Sequence, residues 1–128
     1  MADKTLRPGF HVEVKGIIPH GCKLFTIKLG KNDKNVVIHF EPRFDYFGDK
    51  HKIVMNSMKE NFRGTELKES FFPFQMGSEM KICFTFEKDK IFIQLPAGSP
   101  LSFPVRFPIT DITYVSVEGL TTKYITLE

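Results

Sequence analysis

In HFEPRFDYFGD, residues 39–49, three side chains with chemistry to offer stand at every second place: His39, Glu41 and Arg43. Residues two apart in an extended strand point to the same face. An imidazole, a carboxylate and a guanidinium would therefore stand side by side, with Phe40 and Phe44 on the reverse. Two later stretches repeat the pattern. Val54, Asn56 and Met58 share one parity in IVMNSM (53–58), and Gly64, Glu66 and Lys68 share one in RGTELK (63–68). Hydroxyl-rich ligands such as sugars need donors and acceptors fixed in place, because each hydroxyl both gives and takes a hydrogen bond. Arg43, set between Glu41 and Glu66, is expected to be held rigid by charge-assisted bonds, which lowers the ordering cost of binding. The same spacing also fits a cross-strand ion ladder with no ligand.

Catalytic readings are weaker. Glu41 and Glu66 could be imagined as the carboxylate pair of a glycosidase. Each has a cation two positions away, Arg43 and Lys68, which would keep it ionised, the reverse of what a general acid needs. The four histidines, His11, His20, His39 and His51, show neither HxH nor HxxxH spacing, so no metal site is expected. There is no glycine-rich phosphate loop. The chain reads as a binding protein that needs no cofactor, and not as an enzyme.

The elements that must position these residues are short strands. KLFTIKL (23–29), VVIHF (36–40), IVMNSM, KICFTF (81–86), IFIQL (91–95), ITYVSVE (112–118) and KYITL (123–127) alternate or are rich in β-branched residues. Turn signals fall between them: GKNDKN (30–35), a Gly-Asp-Lys turn (48–50), EKDK (87–90), LPAGSP (95–100) and Gly119. About ten short strands with such punctuation predict an antiparallel sandwich or barrel. No window sustains helical apolar spacing; one helical turn near Pro108–Asp111 is the most expected. The 14 Phe among 128 residues suit the inner faces of packed sheets. That length is expected to form one domain.

Charge and cysteine usage narrow the partners. The net charge of +3 is spread along the chain without a basic run, which argues against nucleic acid. No apolar stretch approaches the ~20 residues of a membrane span, and MADKTLRPGF is no signal peptide. Cys22 and Cys83 lie far apart with no spacing motif, so a disulfide framework is not expected and the compartment is read as reducing.

Taken in order, HFEPRF, IVMNS and RGTELKESFFPFQMGS resemble the carbohydrate-recognition domain of the galectins, the S-type β-galactoside lectins. The family pattern is H-x-N-P-R, V-x-N and W-G-x-E-x-R followed by FPF, and the resemblance extends over nearly the whole chain. It implies an all-β, two-sheet antiparallel jelly-roll sandwich forming a single recognition domain over residues 1–128. It also implies β-galactoside-containing glycans as ligands, a homodimer formed through terminal strands (FHVEV and YITLE), no membrane insertion, and a cytoplasmic location with leaderless export. By the resemblance, His39 and Arg43 match the pair that bonds the axial 4-hydroxyl of galactose, and Asn56 the residue on the 6-hydroxyl. Glu66 matches the acid that bonds the sugar and orients Arg43, and Val54 also matches its motif.

Three positions depart from the pattern: Glu41 replaces Asn, Arg63 replaces the stacking Trp, and Lys68 replaces the second Arg. Glu41 loses an amide donor and adds a charge that could pair with Arg43 or Lys68 and close the site. Lys68 loses the planar fork of Arg. Arg63 removes an aromatic platform worth roughly 1–3 kcal/mol by analogy with base stacking, although neighbouring Phe62 could swing in. The expected function is a galactoside lectin of weakened or altered specificity. The alternative is a galectin-related protein that has lost sugar binding and acts through protein contacts or as a structural protein.

Overall fold

The computed structural model describes residues 7–128. Alternating apolar side chains draw the chain into eleven strands: β1 (His11–Ile17), β2 (Thr26–Asn32), β3 (Asn35–Tyr46), β4 (Asp49–Lys59), β5 (Phe62–Arg63), β6 (Leu67–Glu69), β7 (Glu79–Phe86), β8 (Lys90–Gln94), β9 (Leu101–Pro104), β10 (Tyr114–Glu118) and β11 (Thr121–Leu127). They form two antiparallel sheets. One runs in the order β11-β1-β7-β8-β9; the other runs β10-β2-β3-β4-β5, with β6 also paired to β4. The all-β expectation and the two-sheet architecture hold.

Each sheet turns one parity of its strands inward. Val12, Val14, Ile82, Phe84, Ile91, Ile93 and Phe103 face Ile27, Leu29, Ile38, Phe40, Ile53 and Met55, all essentially without solvent contact. Phe40 meets Phe84 edge-to-face at 5.4 Å and ties β3 to the opposite sheet. Phe72 and Phe74 of the FPF segment form a second aromatic group with Phe25 and Phe44, at centroid distances of 4.9–5.3 Å. The reverse of β3 is thus backed by rings along its length, and its polar face rests on a stiff support.

Three local expectations are corrected. The first hairpin turn of the site strand lies at Phe47–Gly48, because Tyr46 already pairs with Asp49 and β4 begins there rather than at Ile53. The segment near Pro108–Asp111 forms no helical turn. Pro108 lacks an N–H, and the Thr110 hydroxyl donates to the Asp111 carboxylate at 3.0 Å. Ile109 and Ile112 are buried and pin the loop down. Finally, β1 is not an edge: it lies between β11 and β7, and β11 alone of the two terminal segments has an unpaired side. The charged Asp3 and Lys4 of the N-terminal tail lie outside the described residues. Among the described residues, no helix is long and apolar enough to cross a membrane.

Candidate functional site

Strand β3 alternates as its sequence demands: His39, Glu41 and Arg43 half-buried on one face, Phe40, Pro42 and Phe44 buried on the other. The β3–β4 register sets His39 opposite Asn56, Glu41 opposite Val54 and Arg43 opposite Lys52. Val54 in turn faces Lys68 of β6. Five of the sequence-selected residues, His39, Glu41, Arg43, Val54 and Asn56, thus share one face, and β5 and β6 bring Arg63 and Lys68 to its side. Arg63 and Glu66 line the same open cleft as Glu41, Arg43 and Lys68, a space of about 460 Å³.

Glu41 is the most heavily bonded member. Arg43 Nε donates to its Oε2 at 2.8 Å, and the Thr26 hydroxyl donates to Oε1 at 3.2 Å. His39 Nε2 lies 3.1 Å from the same Oε1. An ionised carboxylate can only accept, so this ring nitrogen carries a proton that it donates. The His39 hydrogen bond, followed by those of Arg43, draws the Glu41 pKa down to about 2 against the burial that would raise it. Glu41 is therefore a fixed anion at neutral pH. Its expected pairing with Arg43 is present; Lys68 goes elsewhere.

The second carboxylate on Arg43 is Asp49, not Glu66. Arg43 Nη1 donates to Asp49 Oδ2 at 2.7 Å, and Lys68 Nζ donates to both Asp49 oxygens at 3.0 and 3.1 Å. Lys68 and Arg43 hold the Asp49 carboxyl below its ordinary range. The physical reason is the tight turn at 47–48, which folds Asp49 back beside Arg43. Glu66 sits in the exposed connection between β5 and β6 and makes no ion pair among the described residues. The result is an unbroken string: Thr26 and His39 on Glu41, then Arg43, then Asp49, then Lys68. Arg43 also lies 5.1 Å from the Tyr46 ring centroid, a cation–π contact that further fixes its plane.

Asn56 is held from behind. It is 3% exposed. Its carboxamide oxygen accepts from the Ser57 N–H at 2.7 Å and from Arg106 Nη1 at 3.1 Å, which leaves the NH₂ end as its available donor. Arg106 also donates to the Ser57 hydroxyl at 3.1 Å and to the Thr65 carbonyl at 2.7 Å, and stacks 4.7 Å over Phe103. One guanidinium thus clamps β4 to the loop that carries Glu66. Gly64 makes room for it, since a Cβ there would fall 2.6 Å from Arg106 Nη1.

Arg63 is exposed, and its side chain makes no hydrogen bond among the described residues. Phe62, 79% exposed, is adjacent to it on β5 and so points away from the cleft. The aromatic residues that do line the cleft are Tyr46 and Phe47. Thr26, Asp49 and Arg106 went unrecognised in the sequence. Asp49 lay inside the quoted HFEPRFDYFGD, ten residues from His39, but only the turn reveals its partner. Thr26 has the right parity in KLFTIKL, opposite Glu41. Arg106, in FPVRFP, carried no signal of its contacts. Among the described residues, no group of three or more His, Cys, Asp or Glu could hold a metal ion.

The arrangement offers a row of fixed donors and acceptors over an aromatic-backed strand, a surface suited to hydroxyl groups. Comparison with known proteins agrees. Residues 2–125 match the family model for galactoside-binding lectins. Galectin-1 of the toad Rhinella arenarum is 46% identical over 124 residues, covering 97% of this chain and 92% of its own. The structure of a toad ovary galectin in complex with thio-digalactose superposes with a TM-score of 0.91 at 45% identity, covering 97% of this chain and 92% of that one. A homodimeric agglutinin from chicken liver superposes with a TM-score of 0.90 at 34% identity, covering 97% of this chain and 94% of that one. Motif order, jelly-roll sandwich and polar strand face converge: the chain belongs to the galectin family of carbohydrate-binding lectins.

Proposed function

We propose that this galectin binds β-galactoside-containing glycans on the β3–β4 face with a preference shifted from that of its relatives. His39, Arg43 and Asn56 supply the hydroxyl-directed bonds, Val54 the floor, and Glu66 and Lys68 the flanking groups. The observation that carries the shift is the prior engagement of Glu41, which already accepts three hydrogen bonds. Both its oxygens are already bonded, so a sugar hydroxyl must displace a partner or share an oxygen with one. At the other wall, Arg63 presents a cation where the family pattern has the stacking Trp. The toad ovary relative's complex with thio-digalactose supports the galactoside class.

The decisive test is isothermal titration of lactose and N-acetyllactosamine into the parent and into a Glu41→Asn, Arg63→Trp double variant. Binding tighter by roughly ten- to hundredfold in the double variant, with weak but measurable heat in the parent, supports the proposal. Ordinary lactose affinity in the parent sinks the altered preference. The engagement of Glu41 also favours a second reading, in which the face has given up sugar and serves protein contacts. Heat in the double variant and none in the parent with any glycan would select it.

The chain acts as one recognition domain, without catalysis or cofactor, and its partners do not include nucleic acid or an inserted membrane. It forms a homodimer through β11, whose outer side is unpaired and whose Ile125 and Leu127 are exposed beside it. The homodimeric chicken relative supports this assembly. A cytoplasmic location with leaderless export is the reading that accompanies the family.

A further inference from the structure

Phe47 breaks a local rule and nothing in the fold repays it. Tyr46 pairs with Asp49, so Phe47 and Gly48 form a two-residue hairpin turn, with φ of 49° and 80°. Positive φ at both places is the type I′ geometry, which favours Asn or Asp followed by Gly. A bulky aromatic at the first place is strained. The other non-glycine residues with positive φ are different. Glu60 and Asn61 donate their backbone N–H groups to Asn35 Oδ1 and to the Lys34 carbonyl, each at 3.0 Å, which holds their turn, and His51 packs its ring against Phe72 at 5.3 Å. Phe47 is 84% exposed, and its one aromatic contact is Tyr46, at 4.6 Å. Burial cannot be the reason a Phe stands there. It does line the cleft, together with Arg43, Asp49 and Arg63.

Building on the proposed glycan binding, we infer that Phe47 is a saccharide-stacking residue: it takes the apolar C–H face of a sugar ring at the turn end of the cleft. The occupant is argued from continuity. Arg43 lies under Tyr46, Tyr46 lies against Phe47, and the polar row runs from His39 up to this aromatic step. From the His39–Asn56 pair to the Tyr46–Asp49 pair is seven residues of β3, about 23 Å at the strand rise. That span exceeds one hexose. Phe47 therefore serves a further ring of an oligosaccharide whose first ring lies at the His39 end, and selects for chain length. Rings stack on aromatic faces through area burial and C–H contact, and a Phe side chain with two rotatable bonds has little entropy to lose.

The experiment pairs affinity with stability. Parent, Phe47→Asn and Phe47→Trp proteins are titrated with N-acetyllactosamine and with a linear tetrasaccharide of two such units, and each is melted. Phe47→Asn is expected to raise Tm by roughly 2–5 °C, because Asn suits the turn. The same variant is expected to lose roughly tenfold in affinity for the tetrasaccharide, more than for the disaccharide. Phe47→Trp is expected to retain the tetrasaccharide. Equal tetrasaccharide affinity in parent and Phe47→Asn overturns the inference while leaving the glycan reading intact. A lower Tm in Phe47→Asn also overturns it, since Phe47 would then be structural. So does a change in sedimentation mass, which would make Phe47 a contact between copies. Absence of binding by the parent to every galactoside overturns the proposed function, and this inference with it.

Discussion

Two faces of the sandwich carry the same period-two alternation of charged residues and use it differently. On the outer face of the β11-β1-β7 sheet, Lys15 and Lys123 both reach Glu79, and Tyr124 donates to Glu13 at 2.7 Å. The lysine and glutamate side chains in this Glu79 cluster are 35–48% exposed. On the β3–β4 face, Glu41, Arg43 and Asp49 are 11–13% exposed, and each is bonded to more than one partner. Water screens the first set, and pairs of that kind contribute little to stability. The second set is partly desolvated, so each charge depends on its neighbours and each direction is fixed. Alternation by itself does not make a site. Shelter and shared partners do.

The sharpest way to break this contrast is Arg43→Ala, which leaves Glu41 and Asp49 short of a partner while they remain sheltered. It is expected to cost about 2–3 kcal/mol in urea denaturation and to abolish galactoside binding. Retained stability would place the string with the weak outer pairs.

A smaller effect comes from acid. A carboxyl whose folded pKa is depressed stabilises the fold fully above its ordinary value and loses that contribution as pH falls through the folded one. For Glu41 the window runs from about 4.5 down to about 2. Stability of the parent should therefore fall across that range, and Glu41→Gln should fall less steeply because this one group no longer titrates. Thermal melts at pH 2–6 would measure it; identical slopes would contradict the assigned bonding.

The smallest effect is expected on the outer face. Lys123→Ala leaves Glu79 with Lys15 and open water, so the urea midpoint should stay within error of the parent. A clear loss would show that the outer ladder is as coupled as the cleft.

Much of the molecule was legible beforehand because strand periodicity is local. Phe40 and Phe44 had to face away from His39, Glu41 and Arg43, and they do. The galectin motifs named eight candidate site positions, and the two-sheet fold followed from the same resemblance. Arg43 was misassigned to Glu66 because its true partner depends on where a hairpin turns, and Phe47–Gly48 looked less like a turn than Gly-Asp-Lys. Arg106 was invisible for a related reason: it reaches Asn56 across fifty positions of sequence.

What the sequence determined by itself is the parity of each strand, the composition of the core, and which residues could meet on one face. These depend only on the two-residue repeat of an extended chain and on keeping apolar area from water. The tertiary structure decided the partners: Asp49 rather than Glu66 for Arg43, β11 rather than β1 as the open edge, Phe47 rather than Phe62 in the cleft. Hydrogen bonds and ion pairs act over about 3 Å. At that scale the choice belongs to register, turn position and sheet order, which no single stretch of sequence contains.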